Sequence, residues 1–255
     1  MGKYFGTDGF RGEANLTLTA DHAFKVGRFL GWYFTQLRRR ERKDGPARIV
    51  IGKDTRRSSY MFEYTLVSGL VASGADAYLL HVTTTPSVAY VARTEDFDCG
   101  IMISASHNPY YDNGIKLINS FGEKMDESVI TLIEAYLDGE LVVFGKEWPE
   151  LPLAQREQIG RTVDHVSGRN RYIGHLIGMG QLIILAGCRI IDDIRTERFC
   201  NICNTAPDIA KTNNSPCFST DFMEMFCKMC EDRIVYITLF FHIAIVIMQF
   251  LHEIK

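Results

Sequence analysis

The amino-acid sequence predicts an α/β fold, with a parallel or mixed sheet lying between helices. Three observations carry that prediction. Short β-branched runs alternate along the chain with segments of helical periodicity. The connections between them are short and built from turn-forming residues. Polar turns follow the strands at their carboxyl ends, where ligands gather in sheets of this class.

The elements follow in order. Residues 18–42 read as a long helix capped by Thr19, because Ala23, Val26, Phe29, Leu30, Tyr33, Phe34 and Leu37 recur at helical spacing. Its basic end, "RRRERK" (38–43), is expected as a solvated helix terminus, since cations suit the carbonyl end of a helix. "ARIVIGKD" (47–54) reads as a strand ending in a polar turn. Residues 58–73 read as a helix closed by Gly74. "DAYLLHV" (76–82) is a second strand, residues 87–93 a short helix, and "CGIMISAS" (99–106) a third strand. Residues 127–137 form the last clear helix, stopped at Gly139. Residues 143–158, with Pro149 and Pro152, read as a linker.

Totals conceal a seam. With 46% hydrophobic and 23% charged residues and a net charge of −3, the chain carries neither the basic excess of a nucleic-acid binder nor the acidic excess of a disordered segment. Of 21 glycines, however, 20 lie in residues 1–180, with only Gly187 beyond. Of seven cysteines, only Cys99 lies in that first part. Residues 181–255 are therefore a separate problem. The opening residues lack the basic-then-apolar layout of a secretory signal, so the cytoplasm is the expected compartment.

The chemistry concentrates in "ISASHNPYYDNGIK" (103–116). A serine just beyond a strand is a weak nucleophile unless its proton is removed or it has already been modified. His107 is adjacent to Ser106 and points away from it in an extended chain, and no G-x-S-x-G elbow surrounds the serine. Lys116, Arg11 and Arg56 supply cations, a setting that suits phosphoryl better than acyl groups. The plainer reading of the same residues is structural: Asn108-Pro109 and Asp112-Asn113-Gly114 both make turns. The residues alone leave both readings open.

Four blocks in order decide between them: "YFGTDGFRG" (4–12), "IGKDTRRSS" (51–59), "TTTPSVAYV" (83–91) and "ISASHNPYYDNGIK" (103–116). Together they resemble the α-D-phosphohexomutase family, with the likeness running on through "RTVDHVSGRNRYIGHL" (161–176). The resemblance implies that residues 1–155 are the family's domain I, carrying the phosphoserine loop. Residues 156–180 would then be a linker and the opening helix of domain II, followed by an atypical tail at 181–255. It implies that Ser106 is the serine phosphorylated in the active enzyme, passing its phosphoryl group to a hexose or hexosamine monophosphate through a bisphosphate intermediate. His107 and Lys116 match positions for proton transfer or charge stabilisation. Thr7 and Arg11 match the N-terminal loop that approaches the same phosphate, Asn108 and residues 112–114 hold the loop, and Asp54 and Arg56 brace it.

The family also implies Mg²⁺, held by a phosphoserine oxygen (here on Ser106) and three aspartates of a D-G-D-G-D loop. No such loop occurs in this sequence, and Asp192-Asp193, without a glycine turn, is not expected to replace it. The sugar-recognition and phosphate-clamping loops of the later domains are absent as well, so the expectation is a phosphoryl carrier without mutase turnover of its own. In the tail, Cys200/Cys203 and Cys227/Cys230 form two C-x-x-C pairs that match a zinc pattern but read as chance pairing in an anomalous segment. Residues 234–251, "IVYITLFFHIAIVIMQFL", are uncharged over 18 residues, which barely reaches bilayer-spanning length. No nucleic-acid partner is expected, and a membrane partner only through that segment. The tail reads as a frameshift, fusion or decayed copy. The rival readings are a phosphomannomutase or phosphoglucomutase fragment, and a non-catalytic sugar-phosphate-binding or membrane-tethered module.

Overall fold

A computed structural model describes residues 2–179. The cysteine pairs, Asp192-Asp193 and residues 234–251 lie outside the described residues. Residues 2–172 belong to one compact unit and residues 173–179 to another.

The first unit is built on a six-stranded sheet. In chain order its elements are β1 (Phe10–Glu13), α1 (Ala20–Arg40), β2 (Arg48–Lys53), α2 (Arg57–Ala72), β3 (Asp76–Val82), α3 (Thr85–Thr94), β4 (Cys99–Ile103), β5 (Asp112–Asn119) and α4 (Glu127–Leu137). A two-stranded ribbon, β6 (Val142–Val143) and β7 (Lys146–Glu147), precedes the last strand, β8 (Thr162–Asp164). The sheet order is β1-β5-β4-β2-β3-β8. Strands β4, β2, β3 and β8 run parallel, while β5 is antiparallel to both β4 and β1. The mixed α/β sheet expected from the sequence is therefore present. Residues 166–172 are helical and close this unit; residues 173–179 are helical too.

Two apolar layers flank the sheet, and the period-two alternation of the strands sorts residues between them. Ile49, Ile51, Ile101 and Ile103 join the layer under α1, α2 and α4. Val50 and Met102, one residue out of phase, join the layer under α3 with Val88, Val91 and Ala92. Thr19 caps α1 as expected, its hydroxyl accepting the His22 N–H.

Three features depart from the sequence reading. Asp112-Asn113-Gly114 does not turn the chain but opens β5, because β1 pairs with it along its length and the Ser104 N–H donates to the Gly114 carbonyl on the other side. β1 and β8 carry no long apolar run and exist through their pairing with β5 and β3. Residues 143–158 are not a bare linker. Trp148 packs edge-on against Trp32 with ring centroids 4.8 Å apart, and Leu151 is buried in the core. The buried Arg28 guanidinium donates to the carbonyls of Leu151, Pro152 and Ala72, fastening this stretch to α1 and the end of α2.

Candidate active site

At the carboxyl end of β4 the chain leaves the sheet, passes through Ser104 to Asp112 and returns as β5. Ser106 sits in this loop with φ +58°, the left-handed region that non-glycine residues enter at a cost of about 1–3 kcal/mol. Its N–H donates to Ser104 Oγ at 3.0 Å, and its carbonyl accepts from Arg56 Nη2 at 2.8 Å. Both peptide groups of the strained residue are thus tied down.

The side chains gather in a cleft of about 440 Å³ that brings together Ser106, Thr7, Arg11 and Lys116. Lys116 enters it by register. It pairs opposite Met102, so both project to the α3 face of the sheet, while Ile115 and Leu117 turn into the other layer. Arg11 comes from β1, next to β5. Its guanidinium donates to Asn108 Oδ1 at 3.4 Å and to Asp8 Oδ2 at 3.0 Å, and its Nε has no protein partner among the described residues. Gly9 makes this approach possible. With φ +98°, a Cβ there would lie 2.4 Å from the Ile115 carbonyl oxygen, so only glycine lets the loop rest on β5.

His107 stands apart from this group: it is exposed and is not among the residues lining the cleft. Asn108 links the loop's two ends, donating to Asp112 Oδ2 at 3.0 Å. Asp54 and Arg56 are buried beneath the loop. Arg56 Nε donates to Asp54 Oδ2 at 2.9 Å, and its two terminal nitrogens reach the carbonyls of Ser106, Asn108, Pro109 and Asp112. One planar guanidinium therefore satisfies four carbonyls of a loop that lacks regular pairing.

The reading of the residues overlooked Ser59, Ser104 and the specific part played by Asn113. The first lies within the block "IGKDTRRSS", but nothing in local sequence tells which of two serines turns inward. The family's Mg²⁺ finds no home among the described residues. Among the described residues no three His, Cys, Asp or Glu side chains lie close enough to hold a metal ion. Two of the cleft's three acids are engaged as well, Asp8 with Arg11 and Glu127 with Lys124 at 2.8 Å. These residues do not make a metal site.

The geometry sets a hydroxyl beside two cations at the carboxyl edge of a mixed sheet, an arrangement whose chemistry suits phosphoryl groups. Residues 2–141 match the family model for phosphoglucomutase/phosphomannomutase, alpha/beta/alpha domain I, and the chain belongs to that family. Among individual relatives, it is 73% identical over 179 residues to the phosphoglucosamine mutase of Lachnospira eligens. That match takes in 70% of this chain and 37% of the relative. The phosphoglucosamine mutase of Lachnoclostridium phytofermentans is 66% identical over the same length, and that of Streptococcus pneumoniae 46% identical over 180 residues. The chain thus spans about 37% of the length of these relatives. A crystal structure of a phosphoglucomutase/phosphomannomutase family protein from Burkholderia thailandensis shares the fold, with a TM-score of 0.50 at 23% identity. It covers 69% of this chain, which in turn covers 35% of it.

Proposed function

We propose that this chain is the phosphoryl-carrying portion of a phosphoglucosamine mutase, with Ser106 as the carrier. The observation that supports the reading is the position of Ser106, which opens into one cleft with Arg11, Thr7 and Lys116. In the reaction, the bond between phosphorus and Ser106 Oγ breaks as a sugar hydroxyl oxygen bonds to phosphorus. The sugar hydroxyl gives up its proton, and Oγ leaves to be reprotonated or phosphorylated again from the bisphosphate. Such a transfer asks for in-line placement and charge compensation rather than covalent help. Arg11 and Lys116 balance charge on the phosphoryl oxygens, Thr7 fixes their direction, and Asn108 contributes to phosphate binding through its hold on Arg11. His107, exposed and outside the cleft lining, is left to exchange protons with a sugar that reaches over the loop. Asp54 and Arg56 brace the loop from behind.

The substrate follows from the phosphoglucosamine mutase relatives: glucosamine 6-phosphate, converted to the 1-phosphate in the complete enzyme, a cytoplasmic step. Residues 1–155 form the family's domain I, and residues 156–180 are the linker and opening helix of its second domain. Mg²⁺ belongs to the complete enzyme and would meet this chain only through the phosphate on Ser106. By itself the chain takes up a phosphoryl group without completing the cycle, because the substrate must be clamped and turned. No helix among the described residues is long and apolar enough to cross a membrane.

Incubating the chain with glucosamine 1,6-bisphosphate and mapping phosphate by mass spectrometry tests the reading. One phosphoryl group on Ser106, lost in Ser106→Ala, is the expected result. Label that survives Ser106→Ala refutes the assignment. Faster uptake from glucose 1,6-bisphosphate would favour the phosphomannomutase or phosphoglucomutase alternative. Tight binding of the sugar phosphate without any label would favour the non-catalytic binding module.

A further inference from the structure

Behind the Ser106 loop runs one continuous buried polar chain. It begins at Asn113, fully buried near the start of β5. The Asn113 amide donates both protons, to Ser58 Oγ at 2.8 Å and Ser59 Oγ at 2.9 Å, while its Oδ1 accepts the Gly114 N–H at 2.8 Å. Ser59, also fully buried in the first turn of α2, donates its hydroxyl to Asp54 Oδ1 at 2.5 Å. Asp54 accepts the Arg56 N–H at 3.0 Å and Nε at 2.9 Å, and Arg56 closes on the four loop carbonyls.

Donation runs one way from Asn113 through Ser59 to Asp54, so each bond polarises the next among buried groups. The carboxylate so oriented fixes the plane of the Arg56 fork, and the fork fixes where the Ser106 carbonyl points. Ser106 needs that hold, since its left-handed conformation is unfavourable for a residue with a Cβ.

We infer that Asn113 and Ser59 are positioning residues that, acting through Asp54 and Arg56, keep Ser106 in its left-handed conformation and so aim its hydroxyl into the cleft. The inference rests on reading Ser106 as the phosphoryl carrier, and neither residue touches the reacting atoms.

The test uses the full 255-residue chain, with two readouts. The Cα and Cβ chemical shifts of Ser106 report its backbone conformation whether or not phosphate is taken up. The rate of labelling from a hexose bisphosphate reports transfer. Ser59→Ala, which removes one small hydroxyl, is expected to fold, to lose the left-handed shift signature and to slow labelling about 100-fold, as small misplacements of a reacting group do. Ser59→Thr, which keeps the hydroxyl, is expected to restore both. Asn113→Leu should repeat the Ser59→Ala result where it folds. A folded Ser59→Ala chain that keeps both signature and rate overturns the inference. An unlabelled unmodified chain whose Ser106 signature still moves in Ser59→Ala upholds the positioning role and overturns the phosphoryl reading instead.

Discussion

Ser106 illustrates how a residue's chemistry and its backbone are set by different parts of the chain. Its neighbours along the sequence make it a turn; residues from β1, β5 and the β2–α2 connection make it a site. The serine, the lysine and the N-terminal arginine were legible as candidates because their types suit phosphoryl chemistry. The left-handed φ and the four-carbonyl clasp of Arg56 were not, because they depend on contacts across 50 or more residues. Gly9 belongs to the same scale. Gly9→Ala combines a positive φ with a Cβ 2.4 Å from the Ile115 carbonyl oxygen. It is expected to cost about 2 kcal/mol or more. Calorimetry should show the lowered midpoint, and mass spectrometry slower labelling of Ser106, since the Gly9 loop leads directly into β1, which carries Arg11.

Among the elements, α2 is the one that carries the site's support, and a buried ion pair locks it to β2. Lys53 and Glu63 are each 2% exposed at the side chain, with Nζ and Oε2 3.5 Å apart. Burial nevertheless holds the Glu63 carboxyl above its ordinary range, with Lys53 and then His81 pulling it back. A carboxyl raised on folding contributes stability below its unfolded pKa and loses it as pH rises through the folded value. Lys53→Met removes the main opposing charge and leaves the buried Glu63 with only the more distant His81 ring, 3.9 Å away, for an expected loss of about 3 kcal/mol near neutral pH. Denaturant titrations should find the loss smaller at about pH 4, where Glu63 is protonated, than at about pH 8. An equal loss at both would mean that packing, not charge, dominates.

The strong helices and the three apolar strands were readable from periodicity because each carries its own hydrophobic pattern. The edge strands β1 and β8 were not, since partners rather than pattern define them. The stretch after α4 shows the same limit. Its prolines signal irregularity, and irregular it largely is, yet Leu151 is buried and Arg28 grips the backbone on either side of it. Leu151→Ala is expected to lower stability by about 2–4 kcal/mol, where a solvated linker would tolerate it; thermal unfolding separates the two.

At the scale of the whole molecule, the proposed function gives the chain one side of a reaction that needs several. Its cleft provides a hydroxyl and cations, but the described residues do not form a metal cradle, and the chain matches only about 37% of its relatives' length. The Ser106 loop needs nothing beyond the described residues for its shape: the sheet carries its own apolar layers on both faces, and the loop's geometry is built upon it. The most direct measurement is therefore phosphate mapping after the purified chain meets glucosamine 1,6-bisphosphate. A single phosphoryl group on Ser106, absent from Ser106→Ala and unaccompanied by steady interconversion of the monophosphates, is the expected result. An unmodified Ser106 in a folded chain, or phosphate on any other residue, would contradict it.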